Sequence, residues 1–145
     1  MDNQSMKQMG SSYLLAHGLG IPVKNASTKF QIENKGKYRI WVRTRNWVKK
    51  WDQTAAPGRF KVLLNGKALE KTFGTEKAEW HWQNGGIITL KAGENKIELQ
   101  DLTGFDGRCD AVFLTSDMNM LLPDSGNELA DFRPVSYTHL TLPTI

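Results

Sequence analysis

The sequence predicts an all-β fold: an antiparallel β-sandwich of the jelly-roll kind with about eight strands. Three observations carry this. Short runs of alternating apolar and polar residues recur along the chain, turn-forming residues separate them at regular spacing, and few segments show a helical period. At 145 residues the length fits one domain, large enough to bury a core without staples.

The strand-like runs are Tyr13–Ala16, Lys29–Ile32, Lys37–Thr44, Arg59–Leu64, Ala78–Gln83, Gly86–Leu90, Lys96–Leu99 and Arg108–Thr115. Asn34-Lys35-Gly36 precedes the third run, and Pro57-Gly58 the fourth. Asn65-Gly66 follows Phe60–Leu64 and signals a tight hairpin, because such turns demand φ > 0 at both central residues. Asn84-Gly85-Gly86 reads as a turn between the fifth and sixth runs. Ala92–Asn95 and Thr103-Gly104 bracket the seventh. Alternation gives a core of Tyr38, Ile40, Val42, Phe60, Val62, Leu64, Ile88, Leu90, Ile97, Leu99, Ala111 and Phe113. The expected organisation is a flexible stretch over residues 1–10 and a sandwich over 11–133. Residues 134–145 carry no charge, match no element the sandwich needs, and are expected to be a disordered, foreign tail.

Several function classes find no support. No Gly-rich phosphate loop follows a strand, and no nucleophile elbow is present. The chain has one cysteine, Cys109, which leaves no partner for an internal disulfide and no thiolate cluster for a metal. His17, His81 and His139 are scattered. No apolar run approaches the roughly 20 residues of a membrane span. Met1–Lys7 lacks an apolar stretch and a cleavage pattern, so no signal peptide is expected. Residues 35–71 hold 11 Lys/Arg against two Asp/Glu, while residues 72–145 hold five against 11. That basic centre suits an anionic partner, but no nucleic-acid motif accompanies it, and a nucleic-acid partner is not expected.

The most informative stretch is Tyr38–Trp47. Tyr38, Ile40 and Val42 share one strand face; Arg39, Trp41 and Arg43 share the other. The chain then enters Asn46–Pro57, a long loop of the kind that often carries function, with Trp47 and Trp51. Trp80 and Trp82 flank His81 and point to one face. Indoles can cover the C–H face of a sugar ring while Arg, Asp and Asn bond its hydroxyls; they can equally fill a core or stack under arginines. Arg108 and Asp110 share a face of the last strand, opposite Cys109 and Ala111, which makes Cys109 a buried, unreactive thiol. Asp110 is a natural partner for Arg43 or Arg39 if the strands are neighbours. Asp101, Asp106 and Asp110 are candidate calcium carboxylates, although pairing with arginine explains them as well, and no metal site is assigned. The candidate ligand-binding residues are Arg43, Arg45, Trp47, Trp80, Trp82, Arg108 and Asp110; no catalytic residue is assigned.

The combined run of Gly36–Trp47, Pro57–Phe60, Phe73-Gly74, Trp80–Gly86 and Asp101–Ala111 resembles the β-sandwich module N-terminal to the flavin domain in a family of bacterial FAD-dependent oxidoreductases. That module is similar to galactose-binding-like, carbohydrate-binding jelly rolls. The resemblance covers roughly Tyr13 to Arg133 and departs at Pro134. It implies a non-catalytic accessory module whose parent protein binds FAD, with no cofactor in this chain and an exported or periplasmic setting. It leaves three roles open: binding of carbohydrate (an acidic glycan given the basic centre), packing against the parent's own flavin domain, or forming part of that domain's substrate pocket.

Overall fold

The computed structural model describes residues 2–5 and 12–123. It contains nine strands: β1 (Asp2–Ser5), β2 (Ser12–His17), β3 (Ala26–Ile32), β4 (Gly36–Thr44), β5 (Phe60–Leu64), β6 (Lys67–Ala68), β7 (His81–Leu90), β8 (Gly93–Asp101) and β9 (Phe105–Thr115). They form two antiparallel sheets, one ordered β1-β2-β9-β4-β7 and the other β3-β8-β5-β6. The predicted sandwich is therefore the observed architecture. No helix among the described residues is long and apolar enough to cross a membrane.

The core lies between the sheets. Ile40, Val42, Phe60, Val62, Leu64, Leu90, Ile97 and Leu99 are buried as alternation requires, with Tyr38 and Ile88 packed at the margin. The Asn65-Gly66 hairpin is present, with φ of 52° and 84°, and it joins β5 to β6. Phe73 is buried too, although its segment shows no strand period. It stacks on Phe60 with centroids 5.8 Å apart and exchanges two backbone hydrogen bonds with it.

Three expectations need correction. Asp2–Ser5, expected to be flexible, pairs with β2 as an edge strand. Asn84-Gly85-Gly86 is not a turn. It lies within the single strand β7, where Ile40 opposes Gly86 and Trp41 opposes Asn84, leaving Gly85 as an extra, bulged residue. A Cβ at Gly85 would sit 2.6 Å from Ile40 Cγ2 and 3.0 Å from Phe73 Cζ, so the core closes over this position only because it is glycine. Third, Ala111 and Phe113 do not join the buried core. Arg43 opposes Ala111 while Thr44 opposes Cys109, so Asp110 is a second bulge. Alternation restarts there, and Val112 and Leu114 pack on the core instead. The expected tail over 134–145 lies outside the described residues.

Cys109 faces inward and is 4% exposed, as alternation foresaw. Burial raises its thiol pKa far above the ordinary value, with Asp110 adding to the effect. The native protein is expected to resist iodoacetamide at pH 8 and to react fully once unfolded in urea, with mass spectrometry as the readout. Ready modification of the folded chain would place Cys109 outside the core.

Candidate functional site

Strands β2 and β4 run parallel to each other across the five-stranded sheet, both antiparallel to β9. The segments that follow them, together with the link from β8 to β9, therefore meet at one end of the sandwich. Asp101 ties two of these segments together. Its buried carboxylate accepts from Val23 N at 2.9 Å, Thr103 N at 3.2 Å and Gly104 N at 3.0 Å. Gly104 O accepts in turn from Gly18 N and Gly20 N. Gly104 has φ of +72°, and a Cβ there would lie 2.3 Å from Ile21 O, so only glycine allows this approach.

The long loop after β4 is anchored as well. Asn46 is 2% exposed; its Nδ2 donates to Ala55 O at 2.8 Å, and its backbone N donates to Lys77 O at 2.7 Å. Thr103 Oγ1 donates to Pro57 O. Trp47 Nε1 donates to Phe105 O at 3.1 Å. The loop is thus fastened to the β8–β9 link, and Trp47 is held in place under Arg108, whose guanidinium carbon lies 5.3 Å from the ring centroid.

The structure brings the seven candidate residues onto one region, the outer face of the five-stranded sheet near this end, but in two different states. Arg43, Asp110 and Trp82 form the first group. Arg43 Nε lies 3.2 Å from Asp110 Oδ2, with side chains 4% and 0% exposed. The guanidinium of Arg43 also sits 5.9 Å from the Trp82 ring, and Trp82 Nε1 donates to Pro123 O at 2.9 Å. Asp110 is thus Arg43's partner, one of the two pairings its position allowed. Both are shielded from solvent, so neither offers a surface contact to a ligand.

Arg45, Arg108 and Trp47 form the second group, and all three are half-buried. Burial lowers the pKa of Arg45 from its ordinary value, and the charge of Arg108 lowers it further; Tyr13 and Glu79 oppose the shift. Two like charges are therefore neighbours. Among the described residues no carboxylate forms an ion pair with either of them, and Arg45 Nε is buried without a hydrogen-bond partner. Trp80 flanks this group through its edge-on contact with Tyr13, with centroids 4.9 Å apart. The bulge at Asp110 sets the spacing, and Thr44 Oγ1 fixes it by donating to Arg108 O at 2.5 Å.

The described residues contain no group of three or more His, Cys, Asp or Glu placed to hold a metal. The three aspartates considered for calcium are spent separately: Asp101 on backbone amides, Asp106 on His17 at 2.8 Å, and Asp110 on Arg43. A cleft of about 560 Å³ lies elsewhere, between the β5–β6 hairpin and β7. It has no aromatic lining, which makes it a poor platform for a ring.

Comparison with solved structures matches this arrangement of sheets. A family 35 carbohydrate-binding module from an environmental isolate superposes with a TM-score of 0.57 at 18% identity, covering 81% of this chain and 86% of that one. The native structure of a family 35 module from Clostridium thermocellum gives 0.58 at 16% identity, covering 77% and 84%. This chain has the fold of those modules. A further structure of a family 35 module from Clostridium thermocellum gives 0.56 at 15% identity. No protein-family model and no curated relative matches the sequence.

Sequence reasoning missed two residues of the face. Tyr13 was assigned to a strand but not to the site. Trp41 lies on the same β4 face, one alternate position from Arg43. Its signal was already in the Arg39, Trp41, Arg43 alternation.

Proposed function

We propose that this chain is a non-catalytic accessory module that binds acidic carbohydrate through Arg45, Arg108 and Trp47. The carrying observation is the Trp47 indole, fixed by its own hydrogen bond and lying under the Arg108 guanidinium, with Arg45 close enough to feel the Arg108 charge and neither arginine in an ion pair with a carboxylate among the described residues. A carboxylate on a sugar ring would neutralise the repulsion between the two arginines, and a planar fork suits bidentate contact with it. The fold shared with family 35 carbohydrate-binding modules supports the reading.

The test is calorimetric titration of the full chain with uronate-containing oligosaccharides and with their neutral counterparts. Binding is expected only for the uronates, and R45Q and R108Q should each weaken it about tenfold or more, the scale of a lost charge-assisted hydrogen bond. Equal affinity for neutral counterparts, or an unchanged Kd in the double variant, would sink the proposal.

A second reading is favoured by a different observation. Leu19, Ile21, Trp51, Leu102 and Phe105 are exposed large apolar residues, and all belong to segments at this same end. Such a concentration suits packing against another domain. The sequence resemblance supplies the candidate, a flavin domain of a parent protein that binds FAD. Co-purification of the separately expressed parent domain with this chain, lost in I21D and F105D, is the expected result.

A further inference from the structure

His81 opens β7 and is 6% exposed. Both of its ring nitrogens face hydrogen-bond acceptors. Nδ1 lies 3.0 Å from Glu79 O, and Nε2 lies 3.2 Å from Glu76 Oε1. Neither a backbone carbonyl nor an ionised carboxylate can donate. A neutral imidazole carries one N–H and can satisfy only one of these neighbours, whereas an imidazolium carries two and satisfies both. The two bonds reach residues 76–79, in the link from β6 to β7. That link supports the loop after β4, because Lys77 O accepts from Asn46 N at 2.7 Å. Asn46 is 2% exposed and immediately precedes Trp47.

Charges approach His81 from two elements. On the link, Glu76 contacts the ring and Lys77 lines the same small groove as His81. On β4, Thr44 opposes His81, and Arg43 and Arg45 flank Thr44. Asp110 balances the Arg43 charge, and the Glu79 charge acts on Arg45. Met120, Leu121 and Leu122, which also line the groove, carry no charge.

We infer that His81 is a proton-operated latch on this link. With both nitrogens protonated it holds Glu79 O and the Glu76 carboxylate at once. Loss of one proton leaves one of them without a donor. The Glu79 carbonyl is fixed in the backbone, while the Glu76 side chain is 48% exposed and can turn to water, so the Glu76 bond is the one that opens. The latch needs a charged imidazole and an ionised carboxylate. Its contribution is therefore present while the ring is protonated and is lost as pH rises through the imidazole range, about pH 5–8. The link is then held by one bond fewer, and the contact between Lys77 O and Asn46 N opens more often. This inference does not rest on the carbohydrate reading.

The experiment measures hydrogen exchange of the Asn46 amide in the full chain by NMR, as protection factors, which remove the intrinsic pH dependence of exchange. Protection should be about fivefold higher at about pH 5.5 than at about pH 8.5, the scale of a half-exposed ion pair. Glu76→Gln is the deciding variant. Its amide N–H can donate to the unprotonated Nε2 of a neutral ring, so the latch stays closed at high pH and the difference should vanish. Glu76→Ala removes the partner and should show the lower protection at both pH values. Both substitutions alter a half-exposed side chain, so the fold is expected to persist. The inference is overturned if wild-type protection is equal at the two pH values. It is equally overturned if Glu76→Gln keeps the wild-type pH dependence, which would assign the effect to another group.

Discussion

Asp110→Asn is expected to destabilise the fold by about 3–5 kcal/mol, the scale of breaking a buried ion pair from one side. The carboxylate is fully buried and its Oδ2 lies 3.2 Å from Arg43 Nε. Losing the negative charge leaves a guanidinium that is 4% exposed, beside an indole, with much less to stabilise it there. The melting temperature should fall by more than about 10 °C for a domain of this size. Replacing both partners with apolar residues, as in R43M/D110L, should recover at least half of the loss, because no uncompensated charge then remains. Thermal unfolding followed by circular dichroism decides the matter. A drop of less than about 1 kcal/mol would mean that solvent reaches the pair.

The second large effect is expected at Phe60. Its side chain is 1% exposed and stacks on Phe73, and the positions a Cβ would take at Gly74 and Gly107 lie within 3.6 Å of its ring. Phe60→Ala should therefore leave a cavity and cost about 3–5 kcal/mol, whereas Phe60→Leu should cost distinctly less. Urea denaturation at unchanged m-value would report it. Equal midpoints for Phe60→Ala and wild type would show that the Phe73 segment is not part of the cooperative core.

Both expectations rest on features of unequal visibility in the sequence. The β4 alternation was legible because Ile40 and Val42 face a core that buries them completely. The Asn65-Gly66 hairpin was legible because its dihedral demand is local. Phe73 was not, since its segment pairs with Phe60 by one isolated bridge and has no period to detect. The bulges were hidden for a related reason. Asn84-Gly85-Gly86 has the composition of a turn, and what makes it a bulge is the close approach of Ile40 and Phe73, which only the fold supplies. At the face, residue types picked out side chains that the fold gathers near one end of the sheet. They could not separate Arg43, whose partner lies 67 positions away in sequence at Asp110, from Arg45, which makes no ion pair with a carboxylate among the described residues.

The bulges at Gly85 and Asp110 also govern how the chain can change over time. Each acts on its strand as a frameshift acts on a message: everything beyond it is read on the opposite face. Exchange of side chains around Gly85 or Asp110 leaves that frame intact, whereas loss of one residue at either place would turn Ile88 and Leu90, or Val112 and Leu114, toward water. In these strands, spacing constrains the fold more tightly than side-chain identity does.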